Sequence, residues 1–234
     1  MSPNVARTVA ALLVPSTFRR ENWEAYLFAP YSKKLSRRVY LYTPQGYDLW
    51  VHLESDPQVK TFNERPTKVP LSIGQGQAVV AAPNAISVDQ MGDVMVHECG
   101  EYCETATQSK AAEKLNREFP WALWAEAQGF NYKRWTSSEL RQNPILLDNY
   151  KRLLRWVCRP GWNPSPIVLD SIISALKSRR VTCWNALFRE LGHFEPTSIS
   201  AAIATLILDE KIHSDLHKYF LSQTTELSAF HEFD

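Results

Sequence analysis

Charge of one sign is what this chain lacks most: 26 lysines and arginines against 25 acids leave a formal net charge of +1. A uniform basic field that would advertise a nucleic-acid partner is thereby excluded, although a local patch is not. Cysteine is scarce as well. The four present, Cys99, Cys103, Cys158 and Cys183, are too few and too scattered for a disulfide framework, so reduced thiols in a cytoplasmic protein are expected. No apolar run approaches the roughly 20 residues of a membrane span, so no membrane partner is expected. The run from Val9 to Val14 is shorter than a signal-peptide core, and no small-residue cleavage site follows it. No glycine-rich loop leads into Gly-Lys-Ser/Thr, which argues against a nucleotide-driven motor. Internal repeats and low-complexity segments are missing too.

What remains is an ordinary globular composition, 44% apolar and 22% charged over 234 residues, enough for one large domain or two small ones. Residues 1–43 form an N-terminal segment with a basic run, YSKKLSRRVYLYT. Its Lys33, Lys34, Arg37 and Arg38, interleaved with Tyr31, Tyr40 and Tyr42, are either a solvated face or phosphate-contacting cations. Residues 45–56 space Leu49, Trp50 and Leu53 as a short amphipathic helix. Pro57 and Pro66 bracket QVKTFNER, which reads as an extended link. VPLSI, QAVVAA, AISV and DVMVHE read as strands separated by turn residues. CETATQSKAAEKLNREF turns helical, FNYKRW reads as a strand, and Thr136-Ser137-Ser138-Glu139 has the form of a capping box. From Pro144 the period is helical, with Leu146, Leu147, Tyr150, Leu153, Leu154 and Val157 on one face. The linker CRPGWNPSP then sets a domain boundary, giving domains 44–158 and 159–234. IVLDSIISALKSRR, CWNALFRELG and TSISAAIATLILDEKI are three helices, and a small hairpin after them would complete the plan of a winged helix. The fold class is α+β.

One segment packs chemistry densely. VMVHECGEYCE, Val94 to Glu104, carries one histidine, two cysteines and three glutamates. As a zinc site it offers His97, Cys99 and Cys103, without a second cysteine pair to complete four ligands. It also reads as a nuclease active site keeping Glu98, or as a strand end whose polar residues need no job.

The order of LESDPQVKTFNERP, the strands, and GFNYKRWTSSELRQNPILLDNYKRLL resembles TnsA, the endonuclease family of bacterial heteromeric cut-and-paste transposases. The second half, SALKSRRVTCWNALFRELGHFEPTSISAAIATLILDEKIHSDLHKYFLS, is similar to that family's helical C-terminal domain. The resemblance covers roughly residues 35–225. It implies a restriction-endonuclease-like α/β/α core followed by an all-α, winged-helix-like domain. It also implies DNA, a DDE transposase and an AAA+ regulator as partners. Such nucleases hold Mg²⁺ on carboxylates from a helix glutamate, a strand aspartate and an acid-x-lysine pair. Here those positions fall on Gly46, on Asn84 within Ala82-Pro83-Asn84, and on His97-Glu98-Cys99-Gly100. One acid survives and no lysine does. The resemblance therefore implies an impaired site that needs no metal or other cofactor. A rearranged Mg²⁺ set from Asp48, Asp93 and Glu98, with Asp89 and Lys110 in reserve, stays open. So does a DNA-binding regulator or defence component that reuses the fold.

In the second domain the third helix, Thr197 to Leu208, carries no Arg, Lys, Asn or Gln to read bases. Its expected exposed residues, Thr197, Ser198, Ala201 and Thr205, suit a protein partner better than DNA. Lys177, Arg179 and Arg180 complement a helix dipole. Trp121, Trp124 and Trp135 are expected in packing, and the remaining histidines carry no assigned chemistry.

Overall fold

A computed structural model describes residues 3–15, 27–72, 78–100, 120–178 and 182–229. In chain order these form α1 (Pro3–Leu13), β1 (Tyr31–Ser32), β2 (Arg37–Arg38), α2 (Pro44–Ser55), β3 (Val59–Asn63), β4 (Val69–Ser72) and β5 (Ala78–Ala81). Then come β6 (Ala85–Asp89), β7 (Val94–Cys99), α3 (Pro120–Gln128), β8 (Asn131–Trp135) and α4 (Ser137–Leu140). The last are α5 (Pro144–Val157), α6 (Pro166–Ser178), β9 (Thr182–Cys183), α7 (Trp184–Glu190), α8 (Pro196–Leu208), β10 (Ile212–Ser214) and β11 (Glu226–Ala229). The chain is a mixed α/β protein. No described helix is long and apolar enough to cross a membrane. Lys110, Arg179, Arg180 and the whole of CETATQSKAAEKLNREF from Cys103, expected as a helix, lie outside the described residues.

Two compact units emerge. The first comprises residues 1–29, 39–53 and 58–140, and the second residues 30–38, 54–57 and 141–234. The expected segment limits at 43/44 and 158/159 differ from this division. The helix α5 groups with α8, on which it packs, so the Pro-rich stretch after it lies inside the second unit.

The first unit is built on a four-stranded sheet in the order β3-β6-β7-β8. The first two pairings are antiparallel and β7–β8 is parallel. A parallel neighbour needs a long return connection, which the stretch containing α3 supplies. Side chains alternate across the sheet. Ile86, Val88, Val94 and Val96 face one side, where they bury against Val9 and Leu12 of α1 and Trp121, Ala125 and Phe130 around α3. Phe62, Ser87, His97 and Trp135 face the other side, where His52 of α2 stacks on Trp135 at 5.6 Å. The capping box closes reciprocally: Thr136 N donates to Glu139 Oε2 at 2.8 Å and Glu139 N to Thr136 Oγ1 at 3.1 Å. QVKTFNER, expected as a mere link, contributes β3. Its partner β6 is far away in sequence, so local pattern reveals the extended backbone but not the pairing.

In the second unit α8 packs against α5 and α6. It is buried continuously from Ile199 to Leu208. Ala201 and Thr205, expected on the surface, are therefore inside, because small residues let neighbouring helices approach on every side of α8. The expected protein-docking face on that helix does not exist as drawn. The C-terminal region is not all-α either: β10, β11 and β9 form a three-stranded antiparallel sheet in that order. Strands of two to four residues are too short to show a period-2 pattern.

Candidate functional site

A cleft of about 670 Å³ opens in the first unit. Its walls come from the Tyr40–Thr43 segment, one side of α2 including Gly46 and Trp50, the chain after β3, and Ala82-Pro83-Asn84 ahead of β6. Gly46 and Asn84, the two positions at which the resemblance implies a glutamate and an aspartate, thus share one cleft. Neither brings a charge. The amide oxygen of Asn84 is already engaged, accepting the backbone N–H of Cys99 at 2.7 Å. Among the described residues lining the cleft, the carboxylate of Glu64 stands beside two cations, Arg65 and Lys68. Glu64 is buried and its Oε1 lies 4.0 Å from Arg65 Nε. The Arg65 guanidinium sits over the ring of Tyr40, 5.7 Å from its centroid. The indole N–H of Trp50 is buried in the wall, 3% exposed, and meets no hydrogen-bond acceptor among the described residues. Tyr40 is noted from the sequence only beside the basic run, and Glu64, Arg65, Lys68 and Trp50 are not singled out there as site residues. They come from three segments, around Tyr40, around Trp50 and over residues 64–68, and no spacing links the three.

Three acids were expected as substitute metal ligands, and the structure does not bring them together. Asp93 and Glu98 stand at opposite ends of β7, roughly 16 Å apart at about 3.3 Å per residue. Glu98 points to the side of β7 that carries Val94 and Val96, where it accepts the hydroxyl of Tyr132. Asp48 on α2 is buried, 2% exposed, and is not among the lining residues of the cleft. Asp89 is committed to its turn: its carboxylate accepts the N–H of Met91 at 2.9 Å and of Asp93 at 2.8 Å. Among the described residues no group of three or more His, Cys, Asp and Glu side chains is arranged to hold a metal ion. A hard cation such as Mg²⁺ requires several convergent oxygens with negative charge. The residues present do not fit it.

His97 is withdrawn from metal chemistry by its own hydrogen bonds. Trp135 Nε1 donates to its Nδ1 at 3.1 Å, and its Nε2 lies 2.8 Å from Ser87 Oγ. An indole nitrogen can only donate, so Nδ1 is the bare nitrogen and Nε2 carries the proton. Both ring nitrogens are thereby used within a neutral imidazole. Burial, helped by the Lys133 ammonium, pushes its pKa down to about 3. That ammonium lies 3.5 Å from the centroid of the Trp135 ring. Neighbouring Cys99 is a free thiol, its pKa pushed up to about 11 by burial and by Glu98. A neutral thiol is a poor ligand and a poor nucleophile. Cys103 lies outside the described residues.

The four cations of the basic run lie in the second unit. The β1–β2 turn is tied to Glu54, whose Oε1 accepts the backbone N–H groups of Lys33 at 2.7 Å and Lys34 at 3.1 Å. Its Oε2 accepts Ser32 Oγ at 2.6 Å, and the Cys158 thiol donates to Oε1 at 3.6 Å. The Lys34 ammonium donates to the carbonyl of Asp56, and burial lowers its pKa to about 8. Arg37 Nη1 donates to the carbonyl of Arg38, whose side chain is exposed. Of the four, Lys34 is the one turned most clearly inward.

Compared with known proteins, the chain matches no family model, and no curated protein matches it significantly.

Proposed function

We propose that this protein is a TnsA-like subunit of a DNA transposition complex whose nuclease site has lost its chemistry. It holds DNA at a transposon end and bridges a DDE transposase to an AAA+ regulator. The observation that carries the reading is the cleft containing Gly46 and Asn84. Two positions that the resemblance pairs for metal binding lie on the same walls, yet the lining holds two cations against one carboxylate. The order helix, three antiparallel strands, return helix, parallel strand in the first unit supports a restriction-endonuclease-like core. The order α6-β9-α7-α8-β10-β11, with β9 paired to β11, supports a winged-helix-like second unit. In that plan α8 occupies the recognition position. Its burial directs any DNA contact of the second unit to other elements, Lys33, Arg37 and Arg38 among them.

Removing carboxylates from such a cleft changes its ligand. Anionic walls repel phosphate unless a divalent cation stands between them, whereas a cleft with a small positive excess attracts it directly. The test is a supercoiled plasmid carrying candidate ends, incubated with the protein in Mg²⁺ or Mn²⁺, alongside a gel-shift in EDTA. DNA retention without metal and no nicking are expected. Metal-dependent nicking that disappears in Glu98→Ala or Asp48→Ala would overturn the reading, as would failure to retain DNA at all.

A further inference from the structure

We propose that the cleft around Gly46 and Asn84 takes an unpaired nucleotide of a DNA strand rather than intact duplex. This rests on the DNA reading above and goes beyond it in naming what enters the cleft. A volume of about 670 Å³ is the size of a small-molecule site and suits one nucleotide, with room for part of a second. A duplex offers its bases only edge-on, inside grooves roughly 12 Å and 6 Å wide. A base that reaches the wall of such a cleft face-on has left the stack.

The wall chemistry matches that occupant. Tyr40 and Tyr42 are half-buried aromatic groups at the cleft, and single-strand binders use such rings as stacking platforms. The Arg65 guanidinium over the Tyr40 ring extends that platform with a cation and, with Lys68, supplies positive charge for the adjoining phosphate. Trp50 closes this wall with its indole N–H buried, facing no acceptor among the described residues. Stacking faces outnumber unsatisfied donors here, so the cleft should tolerate any base. An apolar ligand would leave the positive charge of Arg65 and Lys68 with no counterpart beyond Glu64. A divalent cation would meet two cations and one paired carboxylate.

The experiment measures fluorescence anisotropy of the full-length protein with three DNAs. They are a blunt 20-base-pair duplex, the same duplex with a five-nucleotide 3′ overhang, and an oligothymidine strand. Overhang and single strand should bind about tenfold or more tightly than blunt duplex, since each base–aromatic stack is worth about 5- to 150-fold and two rings are offered. Tyr40→Leu combined with Tyr42→Leu keeps apolar bulk and should bring both down to the blunt-duplex value while leaving blunt binding unchanged. An independent readout needs no variant: 2-aminopurine in the overhang should be quenched on binding wild-type protein. Equal affinity for blunt and overhang DNA, or no quenching, overturns this inference while leaving the DNA reading intact. Binding to none of the three DNAs sinks both.

Discussion

His97 should make the stability of the first unit fall in mild acid, by an amount its surroundings set. The imidazole is 4% exposed, with both nitrogens used and a pKa near 3, against about 6.5 in an unfolded chain. The folded state refuses the proton that the unfolded state accepts between those two values. Folding free energy is therefore unaffected above pH 6.5 and is lost as pH falls from there toward 3. One pKa unit corresponds to 1.36 kcal/mol, so the loss at pH 5 amounts to about 2 kcal/mol. Urea unfolding at pH 7.5, 6 and 5 measures it, with His97→Gln as reference. Glutamine keeps one donor and one acceptor but does not titrate. The variant should be less stable at pH 7.5, by roughly 1–3 kcal/mol for imperfect hydrogen bonds. Its deficit should shrink by about 2 kcal/mol on going to pH 5. A gap between wild type and variant that stays constant across that range refutes the placement of a neutral, buried His97.

Two further outcomes concern the second unit. Glu54→Ala strips the acceptor from Ser32 Oγ and from the N–H groups of Lys33 and Lys34. It should cost roughly 2–4 kcal/mol and speed amide exchange at Lys33 and Lys34, measured by NMR; unchanged protection there would contradict the clamp. Asn149, fully buried on α5, donates to the carbonyls of Leu216 at 2.8 Å and Tyr219 at 2.7 Å and accepts the N–H of Leu221 at 2.7 Å. Asn149→Leu should lower stability in urea by about 3 kcal/mol and expose residues 216–221 to protease, whereas a silent substitution would show that the segment is held by other contacts.

Elements with a strong local signal were legible before any coordinates. The strands around AISV and DVMVHE, the amphipathic α2 and the Thr136 capping box follow from period and turn chemistry, and each lies where the pattern puts it. The readings that changed depend on who the neighbour is. β3 is a strand because β6 pairs with it, and α8 is buried because other helices pack around a stripe of Ala, Ser and Thr that looks like a surface. Asp48 shows the same limit: an acid directly before Leu49 and Trp50 reads as a candidate ligand, yet it is buried. In the candidate site, Asn84 could be placed by its neighbours Ala82 and Pro83. Tyr40, Trp50 and Arg65 could not, since nothing in one segment marks it as the wall opposite another.

The charge balance of the cleft links these observations to the proposed loss of cutting. A nuclease site confines carboxylates at a spacing that is unfavourable without metal, so Mg²⁺ is both catalyst and counter-charge. On the proposed reading Asn84 and Gly46 stand where such acids would be, which removes that repulsion and with it much of the attraction for a divalent ion. The Asn84 oxygen is then free to serve the sheet through Cys99, and His97 to serve as a neutral hinge-pin between Ser87 and Trp135. The Asn84 bond ties the start of β6 to the end of β7 beside the cleft, and the His97 bonds tie β6, β7 and β8 together, all without a metal. Recovering catalysis would therefore take more than Asn84→Asp: the new carboxylate would face the same Cys99 N–H, with no second acid at Gly46 and no lysine on β7. On this argument Asn84→Asp alone leaves the cleft without a metal site, and a nuclease would need at least two restored positions at once.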